Sequence, residues 1–390
     1  MGKLALVWQW RNSKFMKIPF NKPFIIGKEL FNIDQSVFDG HLSGDGKLTK
    51  KCHEWLESNV GCQRALLTHS CTAALEMSAI LCDIQRGDEV ILPSFTFVST
   101  ANAFVLRGAT LVFVDIRPDT LNLNEQLIEQ AITEKTKAIA PVHYAGVGCE
   151  MDSILAIAKK YDLYVIEDAA QAILSEYKGQ KLGSIGHLGC LSFHETKNVI
   201  SGEGGALLIN DEKFIQRAEI IREKGTNRSR FFRGEIDKYT WVDIGSSYLP
   251  SELIGAFLYA QLEHAQIITQ ERIHICHQYH SLLSNLEKEG SIQLPTQIGN
   301  GHLFYILTRS LEERTQLMQY LKKSEIGAVF HYIPLHSSPA GEKYGRIASN
   351  MQVTNKISDI ILRLPVYYGL KKHEIEYVAE RIQTFYNNLN

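Results

Sequence analysis

The chain has 390 residues, 45% of them hydrophobic and 22% charged, and its 41 basic side chains nearly balance its 43 acidic ones. This composition is typical of a globular protein of two or three domains and excludes a disordered chain. With no excess of positive charge and no apolar run near the ~18–20 residues of a membrane span, we expect neither a nucleic-acid nor a membrane partner.

The first fifteen residues, Met1–Phe15, hold only a short apolar patch and no small-residue cleavage pattern, so they make a poor signal peptide. A second methionine, Met16, follows them. We expect residues 1–15 to be an N-terminal extension outside the fold, and a segment packed on a partner is the alternative. The seven cysteines form neither a CxxC pair nor a His/Cys metal spacing, which favours a reducing compartment, the cytoplasm, and no metal site.

Between about residues 60 and 210, short β-rich runs alternate with helical stretches, a pattern that predicts βαβ units around a mostly parallel sheet. Seven strands are predicted: Ala65–Thr68, Glu89–Leu92, Thr110–Val114, Ala138–Val142, Tyr164–Glu167, Gly189–Phe193 and Ala206–Asn210. The predicted helices between them are Thr72–Leu81, Asn124–Ile132, Met151–Tyr161 and Glu212–Lys224. Because ligands of open α/β sheets bind beyond the carboxyl ends of the strands, we expect the chemistry there.

A helical stretch from about Pro250 to Glu287 leads into strand-like segments near residues 302–308 and 328–333, and the chain closes on a helix at Lys372–Asn388. We therefore predict a large α/β domain over residues 16–262. A smaller C-terminal α+β domain is predicted over residues 263–390.

The segment Ser70–Ala74 follows a predicted strand and opens a helix with small residues. Free backbone N–H groups at such a helix start bind phosphate, and the Thr72 hydroxyl adds a donor. An ordinary Ser/Thr helix cap is the alternative.

Two further motifs place charged groups at strand ends. The strand Tyr164–Glu167 delivers Asp168, a carboxylate that could cap a helix, bind a metal or pair with a protonated ring nitrogen. Lys197 lies five residues after Ser192 and just before a glycine-rich turn. A solvated surface lysine is the common case there, whereas a catalytic lysine needs partial burial.

The order of these motifs resembles the DegT/DnrJ/EryC1/StrS family of sugar aminotransferases, which are pyridoxal-phosphate (PLP) enzymes of fold type I. The order is a phosphate-type loop, the aromatic strand end PSFTFVST, a strand ending in aspartate, and Ser-x-x-x-x-Lys before glycines. The segments LLTHSCTAALEM, IEDAAQA, SFHETKN and VFHYIPLH are similar to the family's, and the resemblance extends from about Met16 onward.

The resemblance implies a role for individual residues. Lys197 would bind PLP covalently and serve as the catalytic base, Asp168 would pair with the ring nitrogen, and Gln171 would lie beside the phenolic oxygen. Three residues are similar to the phosphate site and one to the ring-stacking aromatic: Thr72, Ala73 and Ser192, and Phe97.

Four family positions remain open. Ser247 takes the place of an asparagine that reaches the partner subunit's phosphate in many members; Asn227 or Arg228 could substitute, and a solvent-facing loop is the alternative. Positions on the sugar side correspond to His331, Tyr332 and His336, although a buried structural histidine is as common.

The resemblance further implies a homodimer with shared active sites that moves nitrogen from L-glutamate to a dTDP-linked 4-keto-6-deoxy sugar. One alternative is a relative that acts at another keto position or gives the gluco epimer. The other is a PLP-binding regulator without turnover.

Overall fold

The structure is a computed structural model that describes residues 17–389. The predicted extension at residues 1–15 lies outside the described residues. The strands are β1 (Arg64–Thr68), β2 (Glu89–Pro93), β3 (Thr110–Val114), β4 (Thr136–Ile139), β5 (Tyr164–Asp168), β6 (Glu176–Tyr177), β7 (Gln180–Lys181), β8 (Leu188–Ser192), β9 (Gly205–Ile209), β10 (Phe304–Leu307), β11 (Gly345–Ile347) and β12 (Ile361–Leu364). The α-helices are α1 (Lys28–Phe38), α2 (Lys47–Val60), α3 (Cys71–Leu81), α4 (Val98–Val105), α5 (Met151–Tyr161), α6 (Ile215–Arg222), α7 (Arg228–Phe232), α8 (Glu252–Glu263), α9 (Ala265–Lys288), α10 (Leu311–Lys323), α11 (Pro339–Tyr344), α12 (Gln352–Ile360) and α13 (Lys372–Asn387).

The main sheet has eight strands in the order β1-β9-β8-β5-β4-β2-β3-β11. All neighbours from β8 to β11 are parallel, and β9 runs antiparallel to both β1 and β8. Every residue of β2, β8 and β9 is buried, as expected for strands covered by helices on both faces. The fold class predicted from the sequence is confirmed.

The predicted count of seven strands is wrong by one. The eighth strand, β11, pairs with β3 and comes from a segment more than two hundred residues further along the chain. It has three residues, GRI, and none of them is buried, so no alternating or continuous apolar pattern marks it. Arg346 on β11 donates two hydrogen bonds to Glu89 on β2, at 2.8 Å each, which anchors this edge.

Three predicted helices differ from the structure. Residues 124–132 form two short 3-10 segments, Glu125–Leu127 and Glu129–Ala131, because the Asn124 side chain accepts from Gln126 N and closes a tight local turn. The helical stretch from residue 250 is broken at His264 into α8 and α9. Residues 212–214 form a 3-10 turn before α6, which ends at Arg222.

A separate hydrophobic core lies beside the sheet and is formed mainly by residues 275–386, with Ile18 contributed by the N-terminal segment. The antiparallel pair β10–β12 and helices α9, α10 and α13 surround it. The predicted division into domains at residues 262 and 263 stays a prediction. The expected strand at 328–333 is absent, and only an isolated bridge joins Val329 to Arg363. Within the described residues, no helix has the length and apolarity needed to cross a membrane.

Candidate active site

A cavity of about 750 Å³ opens at the carboxyl ends of β5 and β8, where the sequence predicted the chemistry. One wall consists of the start of α3, the residues before and within α4, the ends of β5 and β8, and the turn that carries Lys197. The opposite wall comes from residues 302–303, 329–332 and 363–366, with Phe20 at its rim. We call these the strand-end wall and the distal wall.

Asp168, the last residue of β5, is buried in the strand-end wall. Its Oδ2 accepts a 2.6 Å hydrogen bond from the Thr100 hydroxyl of α4, and its Oδ1 accepts from Ala170 N at 3.1 Å. Among residues 17–389 no cation lies within ion-pair distance of this carboxylate. A buried carboxylate held by two donors and facing a cavity is suited to a positively charged group of a ligand.

Lys197 lies in the turn between β8 and β9, where its backbone N donates to His194 O at 2.9 Å. The side chain is partly buried and lines the same cavity as Asp168. Desolvation lowers the pKa of Lys197, and the charge of Arg363 lowers it further, while Cys71 and Asp168 act in the opposite direction. The surface-lysine alternative therefore does not hold, and the amine is more readily neutral than an exposed lysine.

The start of α3 faces the cavity with the Thr72 hydroxyl, which donates to Ser99 Oγ at 2.8 Å. Ser70 caps the helix, and its Oγ accepts from Ala73 N at 3.1 Å. The helix start lies close to β9, since a Cβ on Gly205 would come within 2.4 Å of Cys71 N. Ala73 N therefore serves the helix cap, and hydroxyls at the helix start face the cavity. The binding of a phosphate there stays a prediction.

A hydrogen-bonded cluster of aromatic side chains joins the two walls. Gln171 accepts from Ala145 N at 2.7 Å and donates to the Tyr332 hydroxyl at 2.9 Å. The Tyr332 ring stacks on His331 with 3.6 Å between centroids, and His331 Nδ1 lies 2.6 Å from the Tyr144 hydroxyl. Burial lowers the pKa of His331, so this histidine is neutral near pH 7.

The structure brings together eight of the predicted site residues. They are Thr72, Phe97, Asp168, Gln171, Ser192, Lys197, His331 and Tyr332.

Four others do not line this cavity. Ala73 is turned into the α3 cap, and His336 is buried with its Nδ1 2.7 Å from Ser94 Oγ. Ser247 is exposed, and Asn227 accepts from Thr240 N at 2.7 Å in an outer loop. Arg228, the alternative to Asn227, lies within 3.5 Å of Glu223. The predicted contact of Ser247 or Asn227 with a partner subunit stays a prediction.

Sequence reasoning missed Thr100 and three further residues that line the cavity, Arg272, His302 and Arg363. Thr100 is the last residue of the segment PSFTFVST, so its place near the strand end could have been predicted from the sequence. Those three residues lie far along the chain from Asp168 and Lys197. No local pattern distinguishes them from surface residues.

Comparisons with known proteins agree with this geometry. The sequence model of the DegT/DnrJ/EryC1/StrS aminotransferase family matches residues 25–383. The chain is 37% identical over 374 residues to the uncharacterized protein MJ1066 of Methanocaldococcus jannaschii, a match covering 93% of this chain and 97% of the relative. It is 30% identical over 386 residues to the UDP-4-amino-4-deoxy-L-arabinose–oxoglutarate aminotransferase of Shewanella sediminis, covering 95% and 98% of the two chains.

Among solved structures, Spr1654 from Streptococcus pneumoniae superposes with a TM-score of 0.88 at 28% identity, covering 96% of this chain and 98% of that one. It has been solved in its PLP form and in its pyridoxamine-phosphate (PMP) form. One cavity holds a buried carboxylate with no ionic partner among residues 17–389, a lysine of lowered pKa and hydroxyls at a helix start. These groups fit this cofactor's ring nitrogen, aldehyde and phosphate, respectively.

Proposed function

The chain belongs to the DegT/DnrJ/EryC1/StrS aminotransferase family, and from that membership we propose that it transfers the amino group of L-glutamate to dTDP-4-keto-6-deoxyglucose. The enzyme is a PLP-dependent aminotransferase of the family that acts on nucleotide sugars. The proposed products are dTDP-4-amino-4,6-dideoxygalactose and 2-oxoglutarate. Support comes from the similarity of segments such as IEDAAQA and VFHYIPLH to the dTDP-4-amino-4,6-dideoxygalactose transaminase of enterobacterial common antigen synthesis.

The observation that carries the proposed amino transfer is the convergence of Lys197 and Asp168 on one cavity. They lie in different segments, and each has the electrostatic setting its role requires. Burial lowers the pKa of Lys197, so its amine is more readily neutral and nucleophilic than that of an exposed lysine. Asp168 is a buried carboxylate with two hydrogen-bond donors, and no residue among 17–389 neutralises it by an ion pair.

When bound, PLP supplies an aldehyde that holds the amino group and a ring that accepts electrons as a proton leaves the substrate carbon. Asp168 would hold the proton on the ring nitrogen, and Thr100 fixes the carboxylate for that purpose. Thr72 and Ser192 would bind the phosphate, and Phe97 would cover the ring. Lys197 would attach the cofactor and, once free, move the proton to and from the substrate carbon.

We propose a homodimer whose active sites are shared. Two large apolar side chains between Asn227 and Ser247, the residues expected to reach the partner, are exposed: Phe232 is 66% exposed and Trp241 77%. Exposed large aromatic side chains are enriched at subunit interfaces. Sedimentation at assay concentration should give a dimer, and an active monomer would contradict the proposal.

The test is incubation of the PLP-loaded protein with L-glutamate and a panel of nucleotide-linked 3-keto and 4-keto sugars, with products identified by NMR. We expect dTDP-4-keto-6-deoxyglucose to react and the 4-amino galacto product to form. A 3-amino product or the gluco epimer would show that the chain acts as a relative with another keto position or product configuration. The absence of turnover with every sugar would favour a PLP-binding regulator. Since one site must serve glutamate and sugar in turn, varied concentrations should give parallel double-reciprocal lines.

A further inference from the structure

His302 lines the cavity from the distal wall as a half-buried side chain. Its Nδ1 lies 3.3 Å from Oδ1 of Asn198, the residue that directly follows Lys197 in the chain. The Asn198 amide nitrogen donates to Asn300 O at 2.8 Å, so the atom that meets the ring is the amide oxygen, which can only accept. The Nδ1 atom of His302 therefore carries the proton and donates to Asn198.

The backbone on both sides of this ring is also fixed. Asn300 Oδ1 accepts from His302 N at 3.1 Å. The amide nitrogen of Asn300 donates to the carbonyls of Gln171 and Ile173, at 3.0 and 2.9 Å. Arg272, itself buried, donates to His302 O at 2.7 Å. With its backbone and one ring nitrogen held, the His302 ring has little freedom to turn.

The imidazole of His302 is neutral because its surroundings are positive. Burial lowers its pKa well below the ordinary value, and four groups that can carry positive charge lower it further: Lys197, Arg272, Arg363 and His331. Within residues 17–389 no acidic side chain forms an ion pair with His302. Since the proton is on Nδ1, the lone pair of the neutral ring is on Nε2, which has no hydrogen-bond partner in the described structure.

The Lys197 amine, in turn, has no acceptor for its hydrogens among the described residues. Burial and the charge of Arg363 lower its pKa, while Cys71 and Asp168 act against them. A neutral amine has two N–H bonds and one lone pair, and a base must direct the lone pair at the proton that it removes. An acceptor that holds one N–H bond therefore orients the lone pair.

We propose that Nε2 of His302 accepts a hydrogen bond from the Lys197 amine whenever that amine is free, which makes His302 a positioning residue for the base. The inference rests on the proposed function, in which Lys197 moves the proton at the substrate carbon. It gives residues 300–302 of the distal wall a task in the chemical step, since they hold the ring that holds the base.

Two substitutions separate the nitrogens of the ring. His302→Asn keeps an amide donor for Asn198 near the place of Nδ1 and has no atom at the place of Nε2. His302→Gln reaches the place of Nε2 with an acceptor oxygen. His187→Asn is the matched control, because His187 is also a half-buried histidine of lowered pKa with a bonded Nδ1, 2.9 Å from Val165 N, and it does not line the cavity.

The first readout is the pKa of Lys197 in the apoprotein. It is measured from acetylation by a pulse of acetic anhydride at a series of pH values, with peptide mass spectrometry. An acceptor favours the ammonium form, so its loss in His302→Asn should lower the pKa of Lys197 by about one pH unit. His302→Gln and the control should stay close to the wild type. The exposed Lys372 is the internal reference and should be unchanged in every protein.

The second readout is a single donor half-reaction of the PLP-loaded protein with L-glutamate, with and without deuterium on the α-carbon. We expect His302→Asn to slow proton removal about tenfold and to enlarge the deuterium effect, because the base is less well directed. The half-saturating glutamate concentration should be unchanged, since the bound donor is not touched. His302→Gln should recover most of the rate.

An unchanged or higher pKa of Lys197 in His302→Asn overturns the inference. Equal losses in His302→Asn and His302→Gln also overturn it, because packing alone would then explain both. A proton on Nε2 in nitrogen NMR of ¹⁵N-histidine apoprotein, with the His302 signal identified by its loss in His302→Gln, is a third contrary result and decides if His302→Asn fails to fold. The expected apoprotein results without any protein-linked cofactor or turnover contradict the proposed function and leave the hydrogen bond intact.

Discussion

The two walls of the cavity are built on different principles. The strand-end wall places Asp168 and Thr72 at the ends of regular elements and Lys197 in the turn after β8, and the hydrogen bond from Thr100 already fixes the Asp168 carboxylate. The distal wall is formed by irregular chain and the strand β12, and it presents cations whose donors are only partly used. A rigid wall suits a cofactor that stays bound, whereas a wall with open donors suits substrates that come and go.

The sharpest test of this comparison is to remove Lys197, the proposed covalent anchor of the cofactor. Lys197→Ala should reduce turnover by about 10⁴-fold or more, because the catalytic base and the attachment point are lost together. Mass spectrometry after borohydride reduction should detect no protein-linked cofactor. Lys372→Ala, at an exposed lysine that begins α13, is the control and should keep both properties. Wild-type activity in Lys197→Ala would remove this residue from the mechanism.

A second change tests whether the strand-end wall acts electrostatically. Asp168→Ala should cost about 3–4 kcal/mol of transition-state stabilisation, because an unprotonated ring nitrogen makes a weaker electron acceptor. The measurement is kcat with saturating glutamate and sugar nucleotide. A kcat close to that of the wild type would mean that Asp168 only caps the turn through Ala170 N.

The variant Thr100→Val tests how much the positioning of the Asp168 carboxylate contributes to turnover. It removes the 2.6 Å hydrogen bond to Asp168, a contact to a charged acceptor whose loss should lower kcat about tenfold. Thr269→Val is the matched control, since the buried Thr269 hydroxyl has no hydrogen-bond partner in the described structure. The control should leave kcat unchanged. Equal effects in the two variants would argue against a positioning role for Thr100.

The smallest effect concerns the pH dependence of stability. Because burial lowers the pKa of Lys197, the unfolded apoprotein binds more protons between that pKa and the ordinary value of 10.5. The free energy of unfolding should therefore rise with pH across this interval, by at most about 1.4 kcal/mol per pH unit. The apoprotein of Lys197→Met should lack this component in urea titrations at a series of pH values. Parallel profiles for the two proteins would contradict it.

Sequence analysis predicted the strand-end wall well and the distal wall poorly. Asp168 and Lys197 each follow a recognisable strand and turn, so local pattern places them at one edge of the sheet. Arg363 lies in a strand of four residues whose approach to the cavity depends on how the β10–β12 pair packs against the sheet. His336 shows the converse, because a residue close in sequence to Tyr332 is turned away to Ser94. The direction in which a side chain of an irregular segment points depends on tertiary packing, which the local sequence pattern does not encode.

The edge strand β11 is synthesised after all the other strands of the main sheet. Until Gly345 leaves the ribosome, β3 has no neighbour on its outer side, and four of its five residues, TLVFV, are apolar. An unpaired apolar strand edge is a template for association with other chains. Synthesis therefore passes through a stage at which about nine-tenths of the polypeptide exists with this edge open, and truncation before residue 345 should yield aggregates instead of a smaller folded protein. The three residues of β11, GRI, pair with β3 and so cover its open edge.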